Sequence, residues 1–215
     1  MNTAIIIILA IAAFCVYVCV CVYIQWKLPV WKGIIGEKKV SRKLRFLSHE
    51  HYIVLNDLML PSTGNTNATQ IDHVVVSNFG IFCIETKAYK GWIFGGEKQQ
   101  YWTQTIYRKK TKFFNPLRQN YAHIKAIESL LGPQHLEAPI VPLVVFTRAD
   151  KMKISGTDSV VHLSGIVRKI KNYSNNIYSD VQRNEIHRLL VDANIVDKQL
   201  RKSHIKEIRA LQKHK

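Results

Sequence analysis

The residues from Ala4 to Ile24 form an uncharged run of Ile, Leu, Val, Ala, Phe, Tyr and Cys, and no other feature limits the fold of this chain as strongly. At about 1.5 Å per residue, such a helix covers roughly 30 Å of hydrocarbon, a full bilayer crossing. No Lys or Arg precedes the run, and Ala10-Ile11-Ala12 comes too early to follow the apolar core of a cleaved signal, so a retained anchor is expected. Lys27, Lys32, Lys38, Lys39, Arg42, Lys43 and Arg45 come directly after it, with Trp26 and Trp31 suited to the headgroup level. The positive-inside rule then predicts a single-pass protein of the cell membrane, N-terminus outside and soluble domain in the cytoplasm.

Met1 to Trp26 contains no Lys, Arg, Asp or Glu, so the formal net charge of +16 belongs entirely to the remaining residues. They number about 190, enough for one compact domain. Their charge favours polyanions as partners, nucleic acid ahead of anionic lipid headgroups. Cys83 is the one cysteine outside the apolar run, which rules out an intrachain disulfide framework and a zinc site built on cysteine pairs. Cys15, Cys19 and Cys21 read as small apolar filler.

Gly36 to Leu47 has helical periodicity through Val40, Leu44 and Leu47. His51 to Leu60 reads as a strand and Pro61 to Thr69 as a polar loop. Gln70 to Ser77 and Ile81 to Lys87, joined by Asn78-Phe79-Gly80, give a strong hairpin signal. Gly91 to Gly96 and Tyr101 to Tyr107 suggest a second hairpin, followed by a basic loop from Arg108 to Lys112. Asn115-Pro116 opens a helix that Gly132-Pro133 closes. Ile140 to Thr147 is apolar enough for a central strand, Ser159 to Leu163 is a further strand, and Gly165 to Asn172, Ser179 to Val191 and Val196 to Lys215 read as helices.

Glu85 and Lys87, two apart on a strand, leave from one face. With a turn of two central residues, Ser77 pairs with Gly80 and Asp72 falls opposite Glu85; a bulge at Gly80 would instead move Asp72 off that face. In the first register two carboxylates converge beside an amine. Converging carboxylates repel unless a cation lies between them, and hard oxygen donors suit Mg²⁺ or Mn²⁺. The bland alternative is an exposed hairpin carrying a salt bridge.

Several motifs in fixed order carry a resemblance: Gly36-Glu37, Gln70-Ile71-Asp72-His73, Ile84-Glu85-Thr86-Lys87, Gly91-Trp92-Ile93-Phe94-Gly95, Trp102 and Asn115-Pro116-Leu117-Arg118-Gln119-Asn120. From about Ile35 to Leu131 the chain resembles the nuclease-related domain, a family similar to distant PD-(D/E)xK nucleases. The resemblance implies an α/β, restriction-endonuclease-like core, with a mixed four-stranded central sheet flanked by helices and a divalent-metal site. It makes Glu37, Asp72 and Glu85 metal ligands, Lys87 the catalytic amine, and Gln119 a further polar group directed at the site. The Pro of the superfamily name is missing, since Ile71 precedes Asp72.

The expected organisation is an anchor over 1–26, a juxtamembrane segment over 27–34, the core over 35–150 and a C-terminal extension with a basic tail over 151–215. The expected function is Mg²⁺- or Mn²⁺-dependent hydrolysis of nucleic-acid phosphodiesters, DNA ahead of RNA. Its rivals are a membrane-tethered module that binds nucleic acid without cutting it and a basic scaffold at the membrane surface. Lys109, Lys110 and Lys112, flanked by Tyr107, Phe113 and Phe114, are candidates for gripping phosphates. His73 is expected to pack through a hydrogen bond, and Trp92 and Trp102 to form a cross-strand pair rather than a base-stacking platform.

Overall fold

The computed structural model describes residues 3–62, 67–197, 199–204 and 207. Part of the expected loop from Pro61 to Thr69 and most of the expected helix from Val196 to Lys215 lie outside these residues; 199–204 is helical.

The first element, α1 (Thr3–Leu44), is one continuous helix of 42 residues. The separate anchor, juxtamembrane segment and core helix read from the sequence are therefore joined, the helix running on through Pro29 even though that residue has no N–H to donate. Among the described residues, no helix is long and apolar enough to cross a membrane. The side chains of 4–8 and 10, within the expected crossing, lie outside the described set. Leu9, Ile11, Phe14, Val16 and Tyr17 are exposed. The last turns of α1 and the bend after it pack inward as their spacing predicts: Val40, Leu44 and, past the helix end, Leu47 are buried against Val75, Phe82, Ile84, Leu143 and Val145.

Among the described residues the sheet is mixed and has seven strands, three more than the resemblance implied. Strands β1 (Tyr52–Pro61), β2 (Ala68–Ser77) and β3 (Gly80–Gly96) form an antiparallel meander. β3 runs for 17 residues, so the expected strands at Ile81–Lys87 and Gly91–Gly96 are one. Irregularities between Lys87 and Lys90 and at Gly91 bend it without ending it. β4 (Tyr101–Ile106) and β5 (Lys109–Phe114) form the second hairpin, so the stretch expected as a basic loop is a strand. Its exposed lysines, Lys109, Lys110 and Lys112, suit an edge, with the turn made at Tyr107, whose φ is +53°. Lysines along an edge strand discourage pairing with other chains.

Helix α2 (Pro116–Leu131) follows, with Asn115 as N-cap accepting from the Leu117 amide and Gly132 after its end. Strand β6 (Val141–Ser155) lies parallel to β3 along its free side and is extended by β7 (Val160–His162). Helices α3 (Ile166–Lys171) and α4 (Asp180–Asp192) complete the fold, the latter opened by a capping box between Ser179 and Gln182. The α2 and α4 side chains Ile124, Ile127, Ile186 and Leu190 bury one sheet face; α1 and α3 bury the other. A smaller core holds Trp102, stacked on Phe146 at 6.4 Å, beneath the β4–β5 hairpin.

Trp92 and Trp102 do not pair. Trp92 lies opposite Thr105 and is 45% exposed, whereas Trp102 is fully buried. A side chain at Gly95 would meet the Trp102 indole at 2.4 Å, so the glycine makes room for the ring. Strand parity separates the two indoles onto opposite faces.

Candidate functional site: a split in the sheet

One edge of β3 has two successive partners. β2 pairs with it from Gly80 to Ile84, and β4 pairs with it from Trp92 to Phe94. Between them, residues 85–91 have no ladder partner on that edge among the described residues, while the opposite edge is paired with β6 at 85–87 and again from Lys90. Glu85 and Lys87 lie in this opening.

Asp72 closes the near side of the split. Ser77 pairs with Gly80, so the turn is the two-residue form, and the ladder ends at His73 and Ile84. Asp72 is one position beyond that end. Its carboxylate Oδ2 accepts the Thr86 N–H at 2.7 Å, replacing the strand bond that β2 no longer supplies. The acid is thereby held beside Glu85.

Lys87 Nζ donates to Glu85 Oε1 at 2.6 Å and to Gln119 Oε1 at 2.9 Å. Glu85 Oε2 lies 3.2 Å from His123 Nε2, and His123 Nδ1 lies 2.7 Å from Thr69 Oγ1. An ionised Glu85 accepts from Nε2–H, which leaves Nδ1 to accept from the threonine hydroxyl. Gln119 and His123, four apart on α2, reach the site from one helix face. Between them Asn120, fully buried, donates to the Cys83 and Leu143 carbonyls, tying α2 to both β3 and β6.

Glu37 approaches from α1. The preceding Gly36 is tightly apposed to the sheet: a Cβ there would stand 3.1 Å from Ala88 Cβ and 3.3 Å from Thr147 Oγ1. That close approach brings the Glu37 carboxyl into the field of Asp57, Glu85 and Lys87.

The electrostatics divide the acids into two kinds. Burial acts against ionised Glu85, but the Lys87 ammonium and the His123 bond prevail and hold its pKa down to about 2. Burial also acts against the charged form of Lys87, and Glu85 overrides it, so the ammonium is retained to higher pH than usual. Asp72 is pushed well above the ordinary carboxylate range, first by burial and then by Glu85, with the Thr86 N–H only partly offsetting this. Glu37 is raised by burial, then by Asp57 and Glu85. Glu85 is committed to its partners; Asp72 and Glu37 are acids that a further cation would relieve.

The structure thus brings Glu37, Asp72, Glu85, Lys87 and Gln119 to one split. Among the described residues, however, no three His, Cys, Asp or Glu side chains form a ready cage for a metal ion. Lys109, Lys110 and Lys112 stand apart, on β5, whose partner β4 joins β3 only from Trp92 onward. His73 makes the hydrogen bond expected of a packed side chain, 2.7 Å to Asn56 Oδ1, and burial lowers its pKa to about 4. Sequence reasoning missed His123 and Thr69. The spacing of His123 from Gln119 was a usable signal, whereas nothing local marked Thr69.

An α/β domain that opens its sheet around carboxylates and a buried ammonium has the layout of a nuclease-related protein. The profile of the nuclease-related domain (NERD) matches residues 32–147, and the chain belongs to that family. An uncharacterized protein of Bacillus anthracis is 38% identical over 182 residues, covering 83% of this chain and 84% of that protein. A solved structure of a protein of unknown function is similar with a TM-score of 0.32 at 10% identity, covering 82% of this chain and 98% of that one.

Proposed function

We propose that the split holds the active centre of a PD-(D/E)xK-like phosphodiester hydrolase acting on nucleic acid, DNA ahead of RNA. The observation that carries this reading is the joining of Lys87 to both Glu85 and Gln119, with Asp72 fixed alongside by the Thr86 amide.

Asp72, Glu37 and Glu85 are the oxygen donors we assign to Mg²⁺ or Mn²⁺. The donor set suits a hard cation, and two of its three acids resist ionisation without one. When bound, the ion supplies Lewis acidity toward a phosphoryl oxygen and a more acidic water. Lys87, kept protonated by Glu85, serves as a fixed positive charge for the phosphate rather than as a base. Gln119 and Glu85 aim its Nζ, and His123, steadied by Thr69, aims Glu85.

A non-cutting nucleic-acid binder is the second reading, favoured by the engagement of both Glu85 oxygens within the protein. In either case, we infer that the apolar run of α1 tethers the domain to the cytoplasmic face of the membrane. The exposure of its described apolar side chains and the lysines that follow support this. The decisive assay incubates the full chain in detergent with single- and double-stranded DNA and RNA, in Mg²⁺ or Mn²⁺ against chelator. Metal-dependent product that disappears in Asp72→Asn is expected; no product with any polymer would leave the binding reading. Resistance of the chain to alkaline carbonate extraction from membranes tests the tether, and release into the soluble fraction would refute it.

A further inference from the structure

Beyond the split, β3 and β6 carry a second feature. Trp92 stands opposite Lys151, and Phe94 opposite Lys153, so period-2 alternation places all four on one sheet face. Their neighbours Ile93, Met152 and Ile154 turn the other way, into the core with Trp102. Lys151 Nζ lies 5.1 Å and Lys153 Nζ 5.7 Å from the Trp92 ring centroid, and Phe94 is tilted beside that ring at 6.2 Å.

Trp92 and Phe94 line an open groove of about 960 Å³ together with Lys90, Ile106, Tyr107 and Lys110, and Lys151 and Lys153 stand beside it against the Trp92 ring. Gly91 shapes it. Its φ is +83°, and a Cβ there would stand 2.3 Å from the Thr105 carbonyl, so only glycine lets β4 come this close. Among the described residues, none of Lys90, Lys110, Lys151 and Lys153 forms an ion pair, and Asp150 is the one carboxylate lining the groove. An exposed indole amid unpaired ammonium groups is complementary to a planar ring carried on a negatively charged chain.

We propose that this groove binds single-stranded nucleic acid, with an unpaired base stacked on Trp92 and adjacent phosphates on Lys151, Lys153 and Lys110. Only an unpaired base offers its π face, because a duplex buries that face in its own stack. The choice of polymer rests on the nuclease-like reading, and the proposal makes the preferred substrate a single strand. Trp92 lies five residues beyond Lys87 on β3, roughly 17 Å at strand rise, a gap that a short single strand bridges.

The test uses the full chain in detergent micelles with chelator present, so that binding is read without cleavage. Anisotropy is measured with a labelled oligothymidylate of about 20 nucleotides and with a duplex of the same length. Trp92→Ala is expected to weaken single-strand binding about tenfold or more and duplex binding less than about twofold. Trp92→Phe restores most of the loss. The double substitution Lys151→Ala, Lys153→Ala is expected to flatten the log–log salt dependence by about 1.4. Unchanged single-strand binding in Trp92→Ala, or equal losses for both polymers, overturns the proposal. So does failure to bind either oligonucleotide, including the case where the chain instead holds phosphatidylglycerol vesicles over phosphatidylcholine ones through Trp92. Trp92-dependent binding by a protein that cuts nothing would sink the hydrolase while leaving the groove assignment intact.

Discussion

Gln119 Oε1 accepts from Lys87 Nζ at 2.9 Å, so a helix that begins 29 residues after this strand lysine supplies the second anchor for its ammonium. The first anchor, Glu85, lies on the same strand face as Lys87 itself. With only Glu85, the amine could swing about one carboxylate; with Gln119, its direction is set. Gln119→Ala is expected to lower kcat about tenfold or more with little change in melting temperature, since a misplaced catalytic group is costly even when the fold survives. Steady-state cleavage kinetics beside a thermal melt check this.

Removing Glu85 does more than disarm the site. Glu85→Ala leaves Lys87 buried without its countercharge, a loss on the order of 3–5 kcal/mol. The pair Glu85→Leu, Lys87→Met is expected to be more stable than either single variant. A double-mutant cycle by urea unfolding measures the coupling, and strict additivity would contradict the ion pair.

Asp72→Asn is expected to abolish cleavage yet stabilise the fold. Folding raises the Asp72 pKa, so it favours the protonated form: that contribution is fully present below the unfolded value and lost as pH rises through the folded one. At neutral pH, where the unfolded acid is ionised, this raised value is a folding penalty, which a neutral amide removes while still accepting from Thr86. A higher melting temperature at pH 7 follows, with the difference shrinking toward pH 3, where the acid is protonated in both states.

Glu85 has the opposite sign. Its depressed value contributes stability that is complete above the ordinary 4.5 and is lost as pH falls through about 2. Urea midpoints of the wild type should therefore drop across this acid window more steeply than those of Glu85→Gln.

Gly36→Leu tests the seating of α1. The added side chain meets Ala88 and Thr147, so the helix must lift and carry Glu37 with it. Cleavage is expected to fall further than stability, which overpacking lowers by about 1–3 kcal/mol.

Much of the meander was legible from local chemistry. Asn78-Phe79-Gly80 marked the turn but left two registers open, and the observed pairing of Ser77 with Gly80 chose the one that places Asp72 by Glu85. The capped start of α2 was readable at Asn115-Pro116 because capping is a contact between near neighbours in the chain. The joining of two expected strands into β3 was not readable, since the glycine and the irregularities that suggest a break are bridged by the parallel ladder from β6, some 60 residues further along the chain. The basic β5 resembled a loop for a similar reason: its strand character comes from pairing with β4, not from its own lysines.

By itself, then, the sequence determined the charge balance, the helical and strand periods, and the hairpin that carries Asp72, Glu85 and Lys87, all properties of residues close along the chain. Tertiary structure alone decided that β2 and β4 leave β3 open between them, that His123 and Gln119 descend into that opening, and that Trp92 faces solvent while Trp102 is enclosed. These depend on which segments lie side by side after long-range pairing, and local propensity does not encode that.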